Sequence, residues 1–248
     1  MLMGWELALG LAAMFFGAVV LGTISFGLGT VAMPFLLLIL LPQDAVVIVN
    51  AMIILTTGLT VAQTWRELRL GETWPFLVAG LPPVPVAVFV LHEFNPTALR
   101  VTIAVVVLTV GLMSLFNIRM PAARRAWMAP LVGSGTTFMV TTFAVGAPLA
   151  ALYAIEQDWS RDTIRATLAL YFLLAAALAM ILFATTGLVS ITTAANIGAL
   201  ALAVMAGSAV AAVVARRISL RVFRYVVVGV TVMGSVSLLV REAVSSLS

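Results

Sequence analysis

Apolar residues follow one another along this chain in eight long runs that are separated by short polar stretches. The runs cover residues 7–41, 44–65, 74–91, 97–116, 127–155, 162–184, 188–215 and 222–240. A helix needs about 20 mainly apolar residues to cross the hydrocarbon core of a membrane. Most of the runs have the length of one crossing, whereas the first and the fifth are longer. The pattern predicts an all-α polytopic membrane protein.

The two long runs are expected to be interrupted. At 1.5 Å per residue, run 7–41 would reach about 50 Å as one helix, against a hydrocarbon core of about 30 Å. Its middle reads GTISFGLGTVAMP (22–34), and glycine and proline are the least favourable residues in a helix interior. Run 127–155 contains VGAP at 145–148. We expect each long run to form two shorter helices around a turn, as a broken, re-entrant-like helical hairpin.

Composition supports a location in the bilayer. The chain of 248 residues is 63% hydrophobic and 9% charged, whereas soluble domains carry about 25% charged residues. It has one histidine and no cysteine, which excludes disulfides and thiolate metal sites. All 13 basic residues are arginines between apolar runs, where topology signals lie. We therefore expect a lipid bilayer as surroundings, no nucleic-acid partner and no cofactor.

The positions of the arginines distinguish two topologies. If every run crosses once, six arginines lie on one side and seven on the other, which is no bias. If both long runs enter and return on the same side, eleven arginines share one side and only Arg100 and Arg241 lie opposite. Cytoplasmic loops collect arginine. The count favours the two hairpins, with both termini outside the plasma (inner) membrane.

The two halves of the chain resemble each other. ALRVTIAVVVLTVGLMSL (98–115) aligns with SLRVFRYVVVGVTVMGSVSL (219–238), and Pro34 and Pro148 occupy similar points of their halves. With three crossings and one hairpin, each half crosses the membrane an odd number of times. The second half therefore has the inverted orientation in the membrane, as in many secondary transporters. We expect two inverted repeats, each with one broken helical hairpin plus three transmembrane helices. Repeat 1 covers 1–116 (hairpin 7–41, helices 44–65, 74–91 and 97–116), a cytoplasmic linker covers 117–126, and repeat 2 covers 127–248 (hairpin 127–155, helices 162–184, 188–215 and 222–240).

The paired breaks provide a candidate anion site. A half-helix that begins inside the membrane presents free N–H groups and the positive end of its dipole, and glycine lets the backbone approach a ligand closely. The alternative is that these glycines only permit close packing or a kink. The predicted substrate-binding residues are Ser25, Gly27, Gly29, Thr30, Asn50, Thr141, Thr142, Gly146 and Arg165.

Two polar side chains near the breaks have two interpretations each, and two aspartates have one. Arg165 can hold a carboxylate or sulfonate through two parallel hydrogen bonds, or it can be an interface anchor that reaches the headgroups. Asn50, its positional counterpart, can donate to the anion or to a neighbouring helix. Asp44 and Asp158 occupy matching positions typical of helix caps or first turns.

Small residues recur at every fourth position of run 188–215, from Ala195 through Gly207 to Ala215. This spacing lets another backbone approach closely. We interpret it as helix packing within the chain, with a sliding surface or a contact between the protomers of a homodimer left open. In run 74–91, GLPPVP (80–85) is expected to kink or break the helix.

The breaks also resemble those of the sulfite exporter TauE/SafE family of membrane transporters. That family carries G-x-G-G-G followed five residues later by proline; here Ser25 replaces the first glycine, Leu28 the middle one of the triplet, and Pro34 is present. In the second half some members have G-G-P-P and a later tyrosine, matched at Gly146, Pro148 and Tyr153. Arginines that open the last helix of each half, Arg100 and Arg221, are similar to the family's pattern. The resemblance implies transport of a small sulfur-containing or organic anion such as sulfite or a sulfonate.

Three function classes remain to be compared. A secondary transporter fits the paired breaks, and the chain has no GxxxxGK[ST] loop for nucleotide-driven transport. An intramembrane enzyme is disfavoured because there is no HExxH zinc motif and no lysine or intramembrane histidine to act as a base. A non-transporting membrane subunit or scaffold of a larger complex is the remaining alternative. The sequence leaves the direction of transport, the coupling ion and the particular anion open.

Overall fold

The computed structural model describes residues 1–24, 27–113, 124–125, 127–157, 159–217 and 220–245. In these ranges the regular elements are helices, as expected, with one 3-10 turn at Trp65–Glu67. Ser25, Asp158 and most of the linker 117–126 lie outside the described residues. The α-helices are α1 (Gly4–Ile24), α2 (Leu28–Leu36), α3 (Pro42–Thr64), α4 (Leu70–Ala79), α5 (Pro83–Glu93), α6 (Pro96–Met113), α7 (Met128–Phe143), α8 (Ala147–Glu156), α9 (Arg161–Thr185), α10 (Ile191–Arg217) and α11 (Leu220–Ser245).

Within the described residues, seven helical segments are long and apolar enough to cross a membrane. One lies in α1, one is formed by α4 and α5 together, and the others lie in α3, α6, α9, α10 and α11. The polytopic all-α fold class is thereby confirmed, and the chain is an integral membrane protein. Helices α2 and α8 are shorter, at nine and ten residues, which is well below the length of a crossing.

Both long apolar runs are interrupted where the sequence predicts it. Gly27 has φ of +108°, a conformation that glycine adopts readily and L-residues with a side chain rarely do. In the other long run, Ala144 ends α7 with φ of +57°, and α8 begins at Ala147. The run 74–91 is also divided, because α4 ends at Ala79 and α5 begins at Pro83, as the prolines of GLPPVP predict.

The helices pack in a symmetric set of pairs. Helix α3 packs against α9, and α6 packs against α11. Helix α1 packs against α2 and α10, while α7 packs against α8, α4 and α5. Each of the first two pairs joins corresponding helices of the two expected repeats. The group α1, α2 and α10 is equivalent to the group α7, α8, α4 and α5. In each group, the broken run of one repeat packs against the third apolar run of the other repeat.

The small-residue stripe of α10 lies against α1. The Cβ of Ala211 is 2.5 Å from where a Cβ on Gly22 would lie, and a Cβ on Gly207 would overlap the carbonyl oxygen of Phe15. Backbones that approach this closely gain van der Waals contact that larger side chains would prevent. The stripe therefore serves packing within one chain, and its α1-facing part is not available for a contact between protomers.

We expect Gly207→Leu to destabilise the protein, because the new side chain meets the backbone of Phe15 and cannot be accommodated by a rotamer change. Overpacking of this kind costs about 1–3 kcal/mol or more. The matched control is Gly198→Leu on the same helix, where an added Cβ meets no atom within 4 Å. Thermal unfolding of the purified proteins in detergent checks the difference. Equal melting temperatures for the two variants would contradict the described packing.

The first half of α3 is buried in the core. All side chains from Ala45 to Asn50 are buried there, together with Leu36, Leu91 and Leu99. Asp44 lies in the first turn of α3, as expected, and accepts a hydrogen bond of 2.6 Å from the Thr193 hydroxyl of α10. We call this half the Leu41 end of α3, and the opposite half, where Leu59 and Gln63 are exposed, the Gln63 end.

Candidate functional site

The two interrupted runs meet in the middle of the molecule. A Cβ added to Gly29, in the first turn of α2, would overlap the carbonyl oxygen of Ala144 at the end of α7. It would also lie 3.5 Å from Val49 of α3. A Cβ on Gly146 would approach the carbonyl oxygen of Thr136 to 2.9 Å. Gly29 therefore lets the two breaks lie in direct contact, and Gly146 lets the second break pack closely against α7.

A cavity of about 660 Å³ lies beside these contacts. It is bounded by α1, by the first turns of α2 and α8, and by α3, α9 and α10. Five of the predicted site residues line it: Gly27, Gly29, Thr30, Gly146 and Arg165. Because residues from both breaks contribute to one cavity, the two halves of the chain share a single candidate site.

The N-termini of α2 and α8 both face this cavity. The N–H of Val31 donates to the carbonyl of Gly27 at 3.1 Å as the first bond of α2, so the N–H groups of Leu28 to Thr30 precede the helical ladder. In α8 the N–H of Leu149 donates to the carbonyl of Gly146 at 3.0 Å, and Pro148 before it has no N–H. The N-cap residues, Gly27 and Gly146, have no side chain that could accept from these N–H groups. Both ends therefore offer positive partial charge to the cavity. Helix α2 offers several free N–H groups, and α8 offers fewer, chiefly that of Ala147.

The cavity mouth lies at the Gln63 end of α3. There the exposed Arg165 of α9 places a guanidinium nitrogen 3.5 Å from the side-chain oxygen of Gln63. On α3 the lining extends from Ile53 to Gln63, and Val46–Val49, nearer the Leu41 end, are buried in the apolar core. Arg165 is the one charged side chain among the described lining residues, which include no carboxylate. The electrostatic character of the lining thus favours an anion.

Three predicted residues are buried beside the cavity instead of lining it. Asn50 donates through Nδ2 to the carbonyls of Val46 (3.0 Å) and Val140 (3.5 Å), and so joins α3 to α7 as in its second interpretation. The hydroxyl of Thr142 donates to the carbonyl of Ala87 at 3.4 Å. Thr141 is also buried. These residues pack around the second break on the side away from the cavity. Ser25 lies outside the described residues.

Sequence reasoning predicted Asn50 as the contribution of α3 and missed the residues of this helix that do line the cavity. Thr56, Thr60 and Gln63 share one face of this helix at spacings of four and three residues, and all three line the cavity. This spacing was a signal in the sequence. The hydroxyls of Thr56 and Thr60 donate to backbone carbonyls one turn earlier, at 2.9 Å each. Their donors are therefore occupied. The donors that remain in the lining include Arg165, the helix N-termini, the Gln63 amide and the hydroxyls of Thr30 and Ser208.

Comparison with known proteins identifies one matching family. The sequence profile of the family described as sulfite exporter TauE/SafE matches residues 9–238. This range runs from α1 into the second half of α11, and it includes both breaks and every helix that lines the cavity. No curated protein matches the chain, and no solved structure matches it. The matched range exceeds nine-tenths of the sequence. This integral membrane protein therefore belongs to the TauE/SafE family of sulfite exporters, which are membrane transporters.

Proposed function

We propose that the chain is a secondary transporter that moves a small sulfur-containing or organic anion, such as sulfite or a sulfonate, through the cavity between α2 and α8. The observation that carries this proposal is that two half-helix N-termini and Arg165 line the same cavity. Oriented N–H groups at helix starts bind anions without a permanent charge. The substrate is held between the two N-termini near the membrane midplane, and Arg165 attracts it at the mouth.

The composition of the lining supports an anion that carries a short organic group. Leu21, Ile53, Leu168, Phe172 and Met205 provide apolar surface next to the polar helix starts. A three-oxygen anion such as sulfite leaves much of a 660 Å³ cavity unfilled. A sulfonate places its oxygens at the N–H groups and its organic part against the apolar side chains. Sulfonates therefore use more of the lining than sulfite does.

The charge distribution supports the proposed topology. Arg66 lies just beyond the Gln63 end of α3, where Arg165 also lies. Arg100 and Arg241, the two arginines expected on the opposite side, line a common second cavity at the Leu41 end. The symmetric helix pairs further support inverted repeats. We infer two re-entrant hairpins in the inner membrane, with both termini on its outer side.

We expect purified protein in proteoliposomes to exchange labelled sulfite or sulfoacetate for the unlabelled anion on the other side. Liposomes without protein provide the background, and acetate, phosphate and choline test the selectivity for charge and shape. Binding in detergent should raise the melting temperature as RT ln(1 + [L]/Kd) predicts. If sulfite, sulfoacetate, acetate and phosphate all fail both to exchange and to stabilise the protein, the proposal is contradicted. That result would favour the alternative, a membrane subunit that transports nothing by itself.

A further inference from the structure

A second cavity of about 370 Å³ lies at the Leu41 end of α3, remote from the mouth of the first. Its lining combines Trp5 and Glu6 of α1, the turn Leu38–Leu41, and two arginines, Arg100 of α6 and Arg241 of α11. From Leu41 to Gln63, α3 advances about 33 Å at 1.5 Å per residue. The two cavities therefore approach opposite faces of the membrane-embedded molecule.

Both arginines of this second cavity hold the turn that follows α2. Arg241 donates to the carbonyl of Leu38 at 2.8 Å, and Arg100 donates to the carbonyl of Leu40 at 3.4 Å. Arg100 also forms an ion pair with Glu242 at 2.8 Å. A helix leaves its last carbonyls without intrahelical partners, and cationic side chains satisfy such groups well. The end of α2 is thus bound by side chains from the last helix of each half.

Helix α2 links this arginine cluster directly to the candidate site. It has nine residues, so about 13 Å separates its two ends. Its first turn lines the main cavity, and its other end is held by Arg100 and Arg241. Between them, a Cβ on Gly234 of α11 would lie 2.9 Å from Pro34. A helix this short moves as a rigid body, so a translation of its first turn also moves its other end.

We propose that Arg100 and Arg241 are positioning residues that hold α2 where it closes the main cavity toward the Leu41 end. The proposal rests on the proposed function, since it takes the main cavity as the transport path. Opening toward the Leu41 end requires α2 to separate from α6 and α11. That separation breaks the hydrogen bonds of Arg100 and Arg241 to the turn after α2. Loss of either arginine therefore shifts the population toward a cavity that is open at the Leu41 end.

Site-directed labelling tests this proposal, because the chain has no cysteine. A single cysteine at Thr30→Cys reports access to the main cavity by a membrane-impermeant maleimide, applied to right-side-out and to inside-out vesicles. Gln63→Cys and Leu41→Cys, each at an exposed residue, identify which vesicle type exposes which end. With the arginines intact, we expect the Thr30→Cys protein to react from the Gln63 side.

Adding Arg241→Gln or Arg100→Gln should raise the rate of labelling from the Leu41 side roughly tenfold, as expected for the loss of one hydrogen bond to a charged group. Arg241→Lys should restore much of the protection, because it keeps the charge and a donor. Arg66→Gln, at the Gln63 end, is the matched control for loss of one positive charge. General unfolding would instead raise the labelling rate equally from the Leu41 side and from the Gln63 side.

Unchanged labelling from the Leu41 side in both glutamine variants would overturn the proposal. If a variant is not folded, as judged by gel filtration, its lysine counterpart and the other arginine are measured instead, and Ser208→Cys replaces Thr30→Cys as a second reporter in the lining. The labelling needs no substrate. A failure of this proposal with anion exchange intact is therefore distinct from a failure of the proposed function.

Discussion

Replacing Gly29 by alanine is expected to abolish transport and to lower the melting temperature by roughly 6 °C or more. The added methyl group overlaps the carbonyl oxygen of Ala144, a backbone atom that cannot move aside by changing rotamer. Overpacking costs about 1–3 kcal/mol of stability where side chains can adjust. Because the neighbour here is a backbone atom, we expect a cost at the upper end of this range or beyond it. The two breaks must separate to relieve the overlap, and the shared cavity is lost with their contact.

The matched control for Gly29→Ala is Gly135→Ala on α7. Gly135 is exposed, and an added Cβ there meets no atom within 4 Å. Alanine is favoured over glycine inside a helix by about 1 kcal/mol, so this variant should be at least as stable as the parent. Melting temperatures in detergent and anion exchange in proteoliposomes measure the two effects separately. A Gly29→Ala protein with unchanged stability and exchange would contradict the direct contact between the breaks.

The sequence reveals the interruptions because their cause is local. Gly27 adopts a backbone conformation with positive φ, and Pro148 lies within the first two positions of α8. Both preferences belong to the residue itself. The seven long apolar segments follow equally from the number of residues needed to cross a bilayer. These features can therefore be predicted from the sequence without the tertiary structure.

Which side chains face the cavity depends on contacts between distant segments. Asn50 and Arg165 lie at equivalent positions in the sequence, yet Asn50 is fully buried against α7 and Arg165 is exposed at the mouth. The rotation of α3 is set by its packing against both α9 and α10. That rotation turns Thr56 and Gln63 toward the cavity. Periodicity shows that these residues share a face, but it does not identify what the face contacts.

Replacing Arg165 by glutamine is expected to raise the Kd for sulfite or sulfoacetate by about 10- to 100-fold, the equivalent of one hydrogen bond to a charged group at about 1.5–3 kcal/mol. Arg165 is the one charged side chain among the described residues of the lining. Arg165→Lys should give an intermediate Kd, because it keeps the charge but loses the planar pair of donors. The dependence of the melting temperature on anion concentration measures the Kd of each variant.

Ionic strength separates this role of Arg165 from that of an interface anchor. Because the side chain is exposed at the mouth, raising the salt from about 0.01 M to about 1 M shortens the screening length from about 30 Å to about 3 Å and should weaken its attraction for the anion. The parent Kd should therefore rise with salt, while the Kd of Arg165→Gln should change much less. Arg66→Gln removes the same charge at the same end of α3 and should keep the parent Kd. An anchor that contacts only headgroups predicts the opposite result, in which Arg165→Gln binds as the parent does at every salt concentration.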